Sequence, residues 1–383
     1  GIGFIYMPAP SFGIIHQTRL VLPFDYTTSG SSGSATITNR GIRDEVIFSD
    51  ILDTDTYDQI YAQFRLNAGT SDFIVGFLSF AEDKLVVFNR NSIHLISGSS
   101  DPTTATSQLI TGEVGCVARK TITQIGNNIM FLSDNGLYSV SFQDLYNLRG
   151  DDLPVSTNIE KTINRINKAH VSKALGVYFE NKYYLAVPLD DAIVNNSIIV
   201  YNFLNQKWES VDSVNDSDWE SHNLIIAGND DDRGVYVVNQ QGGVHQLDSR
   251  NDDVDVVITQ IGSAQRSIPI LGTATTRMFT AQSVDRKKWN NWDLHIQSSD
   301  TNESDATLTA ITENIDDTIS IGTINEYNGG LLSVGEDVSL RGRFGNRRAY
   351  GLQFKLDTTQ GRPKFRAVKI AGAQTFRHLE KAD

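Results

Sequence analysis

The sequence is poor in cysteine, since Cys116 is the only one among 383 residues. A single cysteine excludes an internal disulfide framework and any metal site built from several cysteines. The fold must therefore be held together by packing, and the composition suits assembly in a reducing cytoplasm. Cys116 stands between Gly115 and Val117. We expect it to be a buried small side chain, because a nucleophilic cysteine needs an electropositive, partly exposed setting.

Long apolar runs and helical periodicity are also scarce. No run approaches the roughly 20 apolar residues that cross a bilayer, and no Lys/Arg-led signal segment opens the sequence. Residues Asn158–Lys173 follow the apolar spacing of a helix, with Ser156 or Thr157 in position to cap it. We therefore predict one short helix near 158–173, and a second short helix over Asp53–Gln59. The rest of the chain reads as strand and loop.

The charge is negative and unevenly spread. A net charge of −13 argues against a general nucleic-acid-binding surface, which needs clustered cations. From Arg341 to Asp383, however, 11 Lys/Arg stand against 3 Asp/Glu, a balance of +8, and the preceding residues hold 22 against 43, a balance of −21. We interpret this basic strip as exposed strand faces, or as cations that pair with acidic surface on a neighbour. The alternative is a dedicated interface for an acidic partner.

Short β-branched or aromatic runs separated by turn signals recur through the first two thirds of the chain. Ile129–Leu132 and Leu137–Val140, for example, flank Ser133–Gly136, whose Asn-Gly pair predicts a hairpin with a type I′ turn. Successive hairpins at similar intervals indicate radial repetition of blade-like sheets. The predicted blade-like units are Ile14–Leu66, Phe73–Thr111, Cys116–Phe142, His170–Val211 and His222–Gln260.

The pattern changes near Gly262–Ile270, where longer alternating strands begin. Such strands, separated by polar loops, are typical of an antiparallel sandwich. We therefore predict an all-β chain, with a β-propeller-like domain over 1–262 and a β-sandwich domain over 263–383. Because the sequence begins with Gly-Ile-Gly and not with Met, the number of blades counted from Gly1 is a lower bound. The predicted sandwich strands are Ala274–Phe279, Lys288–Gln297, Ala306–Ile311, Val338–Gly342, Ala349–Leu356 and Phe365–Gly372.

Motifs that carry chemistry are not found in the sequence. The seven histidines are scattered, with none paired at the spacings of a zinc site, and no nucleophile elbow, phosphate loop or dinucleotide fingerprint occurs. Two acidic clusters, Asp53-x-Asp55-x-x-Asp58 and Asp230–Asp232, could offer oxygen ligands to calcium, but neither has the EF-hand spacing. We expect solvated acidic loops there. The sequence predicts no catalytic, cofactor-binding or metal site.

Several stretches together resemble a known family. They are Val46–Asp53, Phe64–Gly69, Asp72–Gly76, Asp83–Ile96, Gly112–Ala118, Ile125–Leu137, Arg341–Tyr350 and Gly361–Arg366. Their succession resembles the propeller-bearing tail proteins of short-tailed bacteriophages, namely the tail nozzle or tail tubular protein B group and related tail hub proteins. The resemblance covers most of Val46–Ala373, and its motifs are structural.

This resemblance implies a structural component of the virion tail, assembled in the host cytoplasm as a six-fold ring. The ring would form part of the DNA ejection conduit, with no enzymatic activity and no cofactor. Its implied partners are further copies of the chain, the tubular adaptor, tail fibres, the host envelope, and double-stranded DNA in transit without specific binding. An acidic chain suits this role, since acidic lining repels phosphate where a basic lining would trap it.

Two other functions stay open at this stage. One is a cell-surface glycan-binding adhesin, in which the four tryptophans Trp208, Trp219, Trp289 and Trp292 would stack on sugars, although such residues more often fill cores. The other is a propeller glycoside hydrolase, which needs a pair of placed carboxylates. Ser133–Gly136 is similar to an aspartate box, but it is one residue short and lacks the tryptophan.

Overall fold

The structure is a computed structural model of the chain, and it separates into two compact units. Unit 1 is Gly1–Leu247 and unit 2 is Asp248–Asp383. The predicted domain limit at residue 262 lies outside the described residues, so it stays a prediction. The structure describes residues 10–24, 26–29, 36–39, 43–57, 62–81, 83–142, 148–150, 153–213, 220–229, 233–239, 243–247, 254–257, 266–269, 271–281, 286–299, 302–313 and 318–374.

The described residues of unit 1 form five antiparallel sheets, each of strands that follow one another along the chain, and one separate two-stranded hairpin. The first sheet contains β1 (Ile14–His16), β2 (Arg19–Pro23), β5 (Glu45–Phe48) and β6 (Gln63–Arg65), with a separate hairpin of β3 (Tyr26–Ser29) and β4 (Thr36–Asn39) inserted after β2. The second contains β7 (Ile74–Phe80), β8 (Lys84–Asn89), β9 (Ile93–Ser97) and β10 (Thr106–Thr111). The third contains β11 (Thr123–Ile125), β12 (Asn128–Ser133), β13 (Gly136–Phe142) and β14 (Leu148–Gly150).

The fourth sheet contains β15 (Leu175–Phe179), β16 (Lys182–Val187), β17 (Ser197–Asn202) and β18 (Lys207–Asp212). The fifth contains β19 (Asn223–Ala227), β20 (Gly234–Val238) and β21 (Val244–Gln246). In every sheet the first strand lies at one edge. These first strands meet: β1 contacts β7, β11 contacts β15, β15 contacts β19, and a 3₁₀ turn at Arg119–Thr121 contacts both β7 and β15. Sheets joined through their first strands are the blades of a propeller, so the predicted propeller-like, all-β architecture is confirmed.

The core of unit 1 lies between successive sheets. Strand β8 is buried on both faces: Leu85 and Val87 pack in the cluster shared with the first sheet, while Val86 and Phe88 pack in the cluster shared with the third. Alternate residues of a strand point to opposite faces, so the apolar run LVVF fills two cores at once. This explains how a blade is held by its neighbours.

Three predicted blades, Ile14–Leu66, Phe73–Thr111 and His170–Val211, match sheets of the structure. The third sheet begins at Thr123 and runs on to Gly150, so the prediction of Cys116–Phe142 was shifted. The prediction of His222–Gln260 was wrong at its end, because this sheet comprises only Asn223–Gln246 and the next strand pairs within unit 2. The residues between these short strands are polar, so no signal in the sequence separated the fifth sheet from the first strand of unit 2.

The helical segment predicted near 158–173 is present, but its α-helical part, α1, is only Glu160–Ile163. Thr157–Ile159 and Val171–Lys173 are 3₁₀ turns. The continuous helix was wrong because the backbone after α1 pairs with another segment: Ile166 forms a β-bridge with Leu189, and the Asn167 N–H donates to the Pro188 carbonyl at 2.9 Å. Ser156, expected as the cap, instead accepts a hydrogen bond from the Leu137 backbone N–H at 3.0 Å. The second predicted helix is also wrong within the described residues, since 53–56 are irregular loop and Tyr57 forms a β-bridge with Ser49.

The predicted hairpin at Ser133–Gly136 is confirmed, but its turn is not type I′. Ser133 pairs with Gly136, so Asp134 and Asn135 are the central residues, and neither has a positive φ. Gly136 has a φ of +144°, and a Cβ there would lie 2.3 Å from Ser156 Oγ, which requires glycine. Positive φ at both central residues, the type I′ pattern, occurs instead at Glu180 and Asn181.

In the part of unit 2 that the structure describes, there are two sheets of the predicted sandwich and one separate hairpin. The hairpin joins β22 (Val254–Val257) to β23 (Arg266–Pro269). One sheet has the order β24-β29-β26-β27, formed by β24 (Thr273–Thr275), β26 (Asp305–Thr312), β27 (Thr318–Thr323) and β29 (Leu352–Gln360). The other has the order β28-β25-β30, formed by β25 (Lys287–Gln297), β28 (Asp337–Ala349) and β30 (Lys364–Gln374).

These two sheets enclose a single core. Trp292 and Leu294 of β25 pack in one cluster with Leu308 of β26 and Phe354 of β29, so the inner faces of both sheets meet. Strand burial alternates along β25, β26 and β29, as it does in a sandwich. One element was not predicted: helix α2 (Ile324–Asn328), which begins at a capping box and packs on this core through Ile324.

Candidate interaction surfaces

Cys116 is fully buried, as expected from the sequence. Its thiol donates a hydrogen bond to the Ala118 carbonyl at 3.3 Å, and burial raises the pKa of the thiol to about 12. The thiolate, which is the reactive species, is therefore negligible at neutral pH. Cys116 acts as a small core residue.

Two histidines, His16 and His94, are buried among hydroxyl groups. His16 Nδ1 lies 2.7 Å from Ser79 Oγ and Nε2 lies 2.5 Å from Ser99 Oγ. Burial lowers the pKa of both imidazoles, against a smaller opposing effect of Asp83 on His16 and of Asp72 on His94. Both rings are held in place by serine hydroxyls, since Ser92 Oγ lies 3.3 Å from His94 Nε2, and neither lines the cavity described below. Among the described residues there is also no group of three or more potential ligands that could hold a metal ion.

Asp72 is the centre of a buried polar network that sequence reasoning missed. Its Oδ1 accepts hydrogen bonds from the backbone N–H groups of Asn91 at 2.9 Å and Phe73 at 3.0 Å. Its Oδ2 accepts from Ser92 Oγ at 2.7 Å and from Asn67 Nδ2 at 3.1 Å. The carboxylate thereby joins the connection between the first two sheets to the β8–β9 turn.

The same network brings a serine, a histidine and an aspartate together, but not in the order of a catalytic triad. Ser92 Oγ donates to Asp72 and lies 3.3 Å from His94 Nε2, so the serine stands between the other two. A triad needs the imidazole between serine and carboxylate. All three residues are also buried. The arrangement therefore stabilises the fold and offers no nucleophile.

The described part of the first acidic cluster, Asp53 and Asp55, lies in an exposed loop. Asp53 accepts hydrogen bonds from the Asp55 backbone N–H and from Thr56 Oγ1, both at 2.8 Å. These bonds lower the pKa of the Asp53 carboxyl, which stays ionised at neutral pH. The cluster around Asp53 is thus organised by its own chain. Asp58 and Asp230–Asp232 lie outside the described residues.

Trp289 and Trp292 do not form the sugar-binding platform that the adhesin alternative needs. Trp289 and Trp292 are each 2% exposed and lie in the sandwich core. Trp208 is half-buried, and its Nε1 donates to the Val155 carbonyl at 3.3 Å. A ring inside a core cannot stack on a sugar, so the interpretation of these residues as core residues is confirmed. Trp219 lies outside the described residues.

An open cavity of about 330 Å³ lies where the third, fourth and fifth sheets begin. Its lining includes Arg119, Lys120 and Lys173 and one carboxylate, Glu220. Asn195 closes one wall by donating to the Lys173 carbonyl at 2.7 Å and to the Ser221 carbonyl at 3.0 Å. Among the described residues, no Phe, Tyr or Trp lines this cavity.

Five of the eleven cations of the basic C-terminal strip lie on the outer face of the sheet β28-β25-β30. On β25 the inward residues Trp292, Leu294 and Ile296 are buried, so the alternate residues face outward with their partners on the flanking strands. We name this outward surface the basic face. It comprises Ser339, His295 and Ala367 in one row, Arg341, Asp293 and Lys369 in the next, Arg343, Asn291 and Ala371 in the third, and Asp337, Gln297, Lys364 and Arg366 at its end.

The basic face carries five cations against two carboxylates, a balance of +3. Arg341 Nε lies 3.2 Å from Asp293 Oδ2, and His295 Nε2 lies 2.9 Å from Asp337 Oδ1. Arg343 and Lys369, both exposed, form no ion pair with any carboxylate that the structure describes. The face is therefore a flat, exposed surface with unneutralised positive charge.

The two units differ sharply in charge. Unit 1 holds 16 Lys/Arg against 28 Asp/Glu, a balance of −12, while unit 2 holds 17 against 18, a balance of −1. Almost all of the acidic surplus therefore belongs to the propeller. The basic face stands on a unit that is close to neutral as a whole, so its charge is local to this surface.

Comparisons with known proteins give one informative match. The family described as Bacteriophage P22 Gp10, beta-propeller matches residues 37–230, just over half of the chain. No curated protein matches the chain.

Solved structures give distant likenesses. The exo-beta-1,3-galactanase from Phanerochaete chrysosporium with galactose is 10% identical, covering 94% of this chain and 95% of that chain with a TM-score of 0.29. The N-terminal domain of Nup159 is 12% identical, covering 88% and 86% with a TM-score of 0.29. Scores this low support no argument about fold or activity. The family match does, and it agrees with the blades of unit 1: the chain belongs to the Bacteriophage P22 Gp10 β-propeller family and is a bacteriophage structural protein.

Proposed function

We propose that this chain is a non-enzymatic component of the phage tail, located at its nozzle or hub. Copies of the chain assemble there into a homohexameric ring that forms part of the DNA ejection conduit. The observation that carries the proposal is the match of a phage structural propeller family to residues 37–230, most of unit 1. The resemblance of the C-terminal segments to the last sandwich of nozzle proteins extends it to unit 2.

The charge of the chain supports a conduit. Unit 1 carries a balance of −12, and an acidic subunit repels the phosphates of passing DNA. At physiological ionic strength the Debye length is about 8 Å, so only carboxylates close to the DNA act on it. A ring of acidic subunits would let DNA slide without binding it.

The polar groups described above support a structural role. Asp72, Ser92 and His94 are used to join blades, and the Cys116 thiol is kept protonated by burial. The adhesin alternative loses its sugar-stacking pair, because Trp289 and Trp292 are core residues. A glycan-depolymerisation assay with folded protein tests the hydrolase alternative, and we expect no product.

Native mass spectrometry and cryo-EM of the full chain test the ring. We expect a closed assembly of six copies, which persists as the protein is diluted towards physiological concentrations. A chain that stays monomeric at every concentration would refute the ring. Antibody labelling of purified virions tests the location, and label elsewhere than on the tail would refute it.

Fluorescence anisotropy with labelled double-stranded DNA tests the conduit. We expect no binding to the assembled protein even at low salt, where phosphate contacts are strongest. Tight, salt-sensitive binding would show that the assembly holds DNA and does not let it pass. The tubular adaptor, tail fibres and the host envelope are the remaining proposed partners, to be tested by pull-down with each component.

A further inference from the structure

The loop after β5 presents apolar side chains to solvent between carboxylates. Ile51 is 58% exposed and Leu52 is 84% exposed. Asp50, Asp53 and Asp55, on either side of them, are exposed as well. We name residues 50–55 the acidic tip. The loop therefore presents two exposed aliphatic side chains and three negative charges at one point of the surface.

The acidic tip is held rigidly. The Asp50 backbone N–H donates to the Thr56 carbonyl and the Leu52 backbone N–H donates to the Thr18 carbonyl, both at 2.9 Å. The Asp53 carboxylate accepts two further bonds within the loop. Leu52 has a φ of +56°, which is strained for a residue with a Cβ. A strained conformation that neighbouring hydrogen bonds hold in place is more often found where a surface has a task.

The basic face of unit 2 has the complementary character. Arg341, Arg343 and Lys369 project from it, and the exposed methyl groups of Ala367 and Ala371 flank Lys369 along β30. Small residues leave room on the sheet for aliphatic side chains from outside. Carboxylates beside apolar side chains on the tip, and cations beside alanine methyl groups on the face, are complementary in charge and offer apolar contact on both sides.

We propose that the acidic tip of one copy docks on the basic face of a second copy. This contact rests on the ring assembly of the proposed function, and it identifies two of the surfaces that build the ring. The two surfaces are different, so the contact is heterologous: each copy offers one tip and one face. Heterologous contacts generate rings when the rotation closes.

Two charge-reversed variants of the full chain test the pairing. Variant A is R341E/K369E, which makes the basic face acidic, and variant B is D53K/D55K, which makes the acidic tip basic. We expect each variant alone to associate at least tenfold more weakly than the wild type in sedimentation velocity. A mixture of A and B should assemble, because the acidic tip of A meets the basic face of B and the basic tip of B meets the acidic face of A.

A matched control and an apolar variant separate docking from damage to the fold. K161E/K207E reverses two exposed cations of unit 1 that lie off the basic face, and it should associate like the wild type. L52G removes the apolar side chain and relieves the strained φ. We expect it to resist urea at least as well as the wild type while it associates more weakly. Circular dichroism confirms that all variants are folded.

The outcomes distinguish this contact from the ring itself. If variants A and B assemble like the wild type, the docking contact is overturned and the ring stands. If each variant fails alone and the mixture fails too, tip and face do not meet and the contact is again overturned. If the wild type is monomeric at every concentration, the ring proposed above fails, and the contact fails with it.

Discussion

Replacing Asp72 by alanine should destabilise unit 1, because this carboxylate accepts hydrogen bonds from four residues in two segments. The side chain is 8% exposed and receives hydrogen bonds from Phe73, Asn91, Asn67 and Ser92. In Asp72→Ala these donors lose their shared acceptor. The connection between the first two blades and the β8–β9 turn would then be held by the Asn67–Ser92 side-chain hydrogen bond at 2.7 Å and by its backbone contacts.

The expected cost follows from the number and burial of these bonds. A hydrogen bond to a charged group contributes about 1.5–3 kcal/mol, and contributions from one network do not add fully. Water can also occupy part of the space left by the carboxyl group. We therefore expect a loss of about 3 kcal/mol in the free energy of unfolding of unit 1. With an m-value of about 3 kcal/mol/M, the urea midpoint should fall by about 1 M.

Urea unfolding monitored by hydrogen exchange measures this loss of stability and assigns it to unit 1. Peptides that span residues 83–97 should lose protection in Asp72→Ala, while peptides from the sandwich should not change. Asp53→Ala is the matched control, since that carboxylate also accepts bonds from its own loop but is exposed. The control should shift stability by about 0.5 kcal/mol or less. An Asp72→Ala midpoint within about 0.2 M of the wild type would refute the reasoning.

Three further predictions concern buried groups. Gly136→Ala should cost about 2–4 kcal/mol in urea unfolding, because its Cβ would meet Ser156 Oγ at a φ that alanine avoids. Burial lowers the pKa of His16 and His94 below 6.5, so the unfolded chain binds protons before the folded chain does. The free energy of unfolding should therefore be constant above pH 6.5 and fall as the pH drops towards the lowered pKa values. In H16Q/H94Q the urea midpoint should depend less on pH over this range. Cys116 should resist Ellman's reagent at pH 8 until urea unfolds unit 1, so rapid labelling of the folded chain would contradict its burial.

Strand positions were predictable because burial on both faces leaves a mark in the sequence, as in Leu85–Phe88. The turn types were not, because a turn is set by the register of the strands around it. Leu132 pairs with Leu137, which places Asp134 and Asn135 at the centre of the turn and Gly136 in the ladder. Local propensity favoured Asn-Gly, and the cross-strand pairing overrode it.

The helix near 158–173 shows a second limit of periodicity. Ile163, Ile166 and Val171 all reach the same core, as the helical spacing required, yet most of the segment is turns. Apolar spacing records which residues are buried and not how the backbone brings them there. Helix α2 shows the opposite case, since its capping box of Thr323 and Glu326 was legible as a Thr-x-x-Glu signal before Gly329.

The tryptophan pair could not be placed from spacing alone. Residues three apart on a regular strand point to opposite faces, so one of Trp289 and Trp292 should have been exposed. The register of β25 shifts between Trp289 and Asn291, and this bulge turns both rings inward. The basic strip, by contrast, was visible in the sequence, and alternation along β28 and β30 put its cations outward. The sequence did not show that Asp293 of β25 pairs with Arg341 on one side and with Lys369 on the other.

The pairing of β25 has a consequence for how the chain is made. Each strand of a blade pairs with strands close by in sequence, so the blades can form one after another as the chain leaves the ribosome. Strand β25 instead pairs with β28 and β30, and it completes its sheet only when Gln374 has emerged. At 5–20 residues per second, the roughly 80 residues that follow β25 take about 4–15 seconds to synthesise. During this interval the apolar face of β25, with both tryptophans, is without its partner strands, which makes it the natural place for a chaperone to bind.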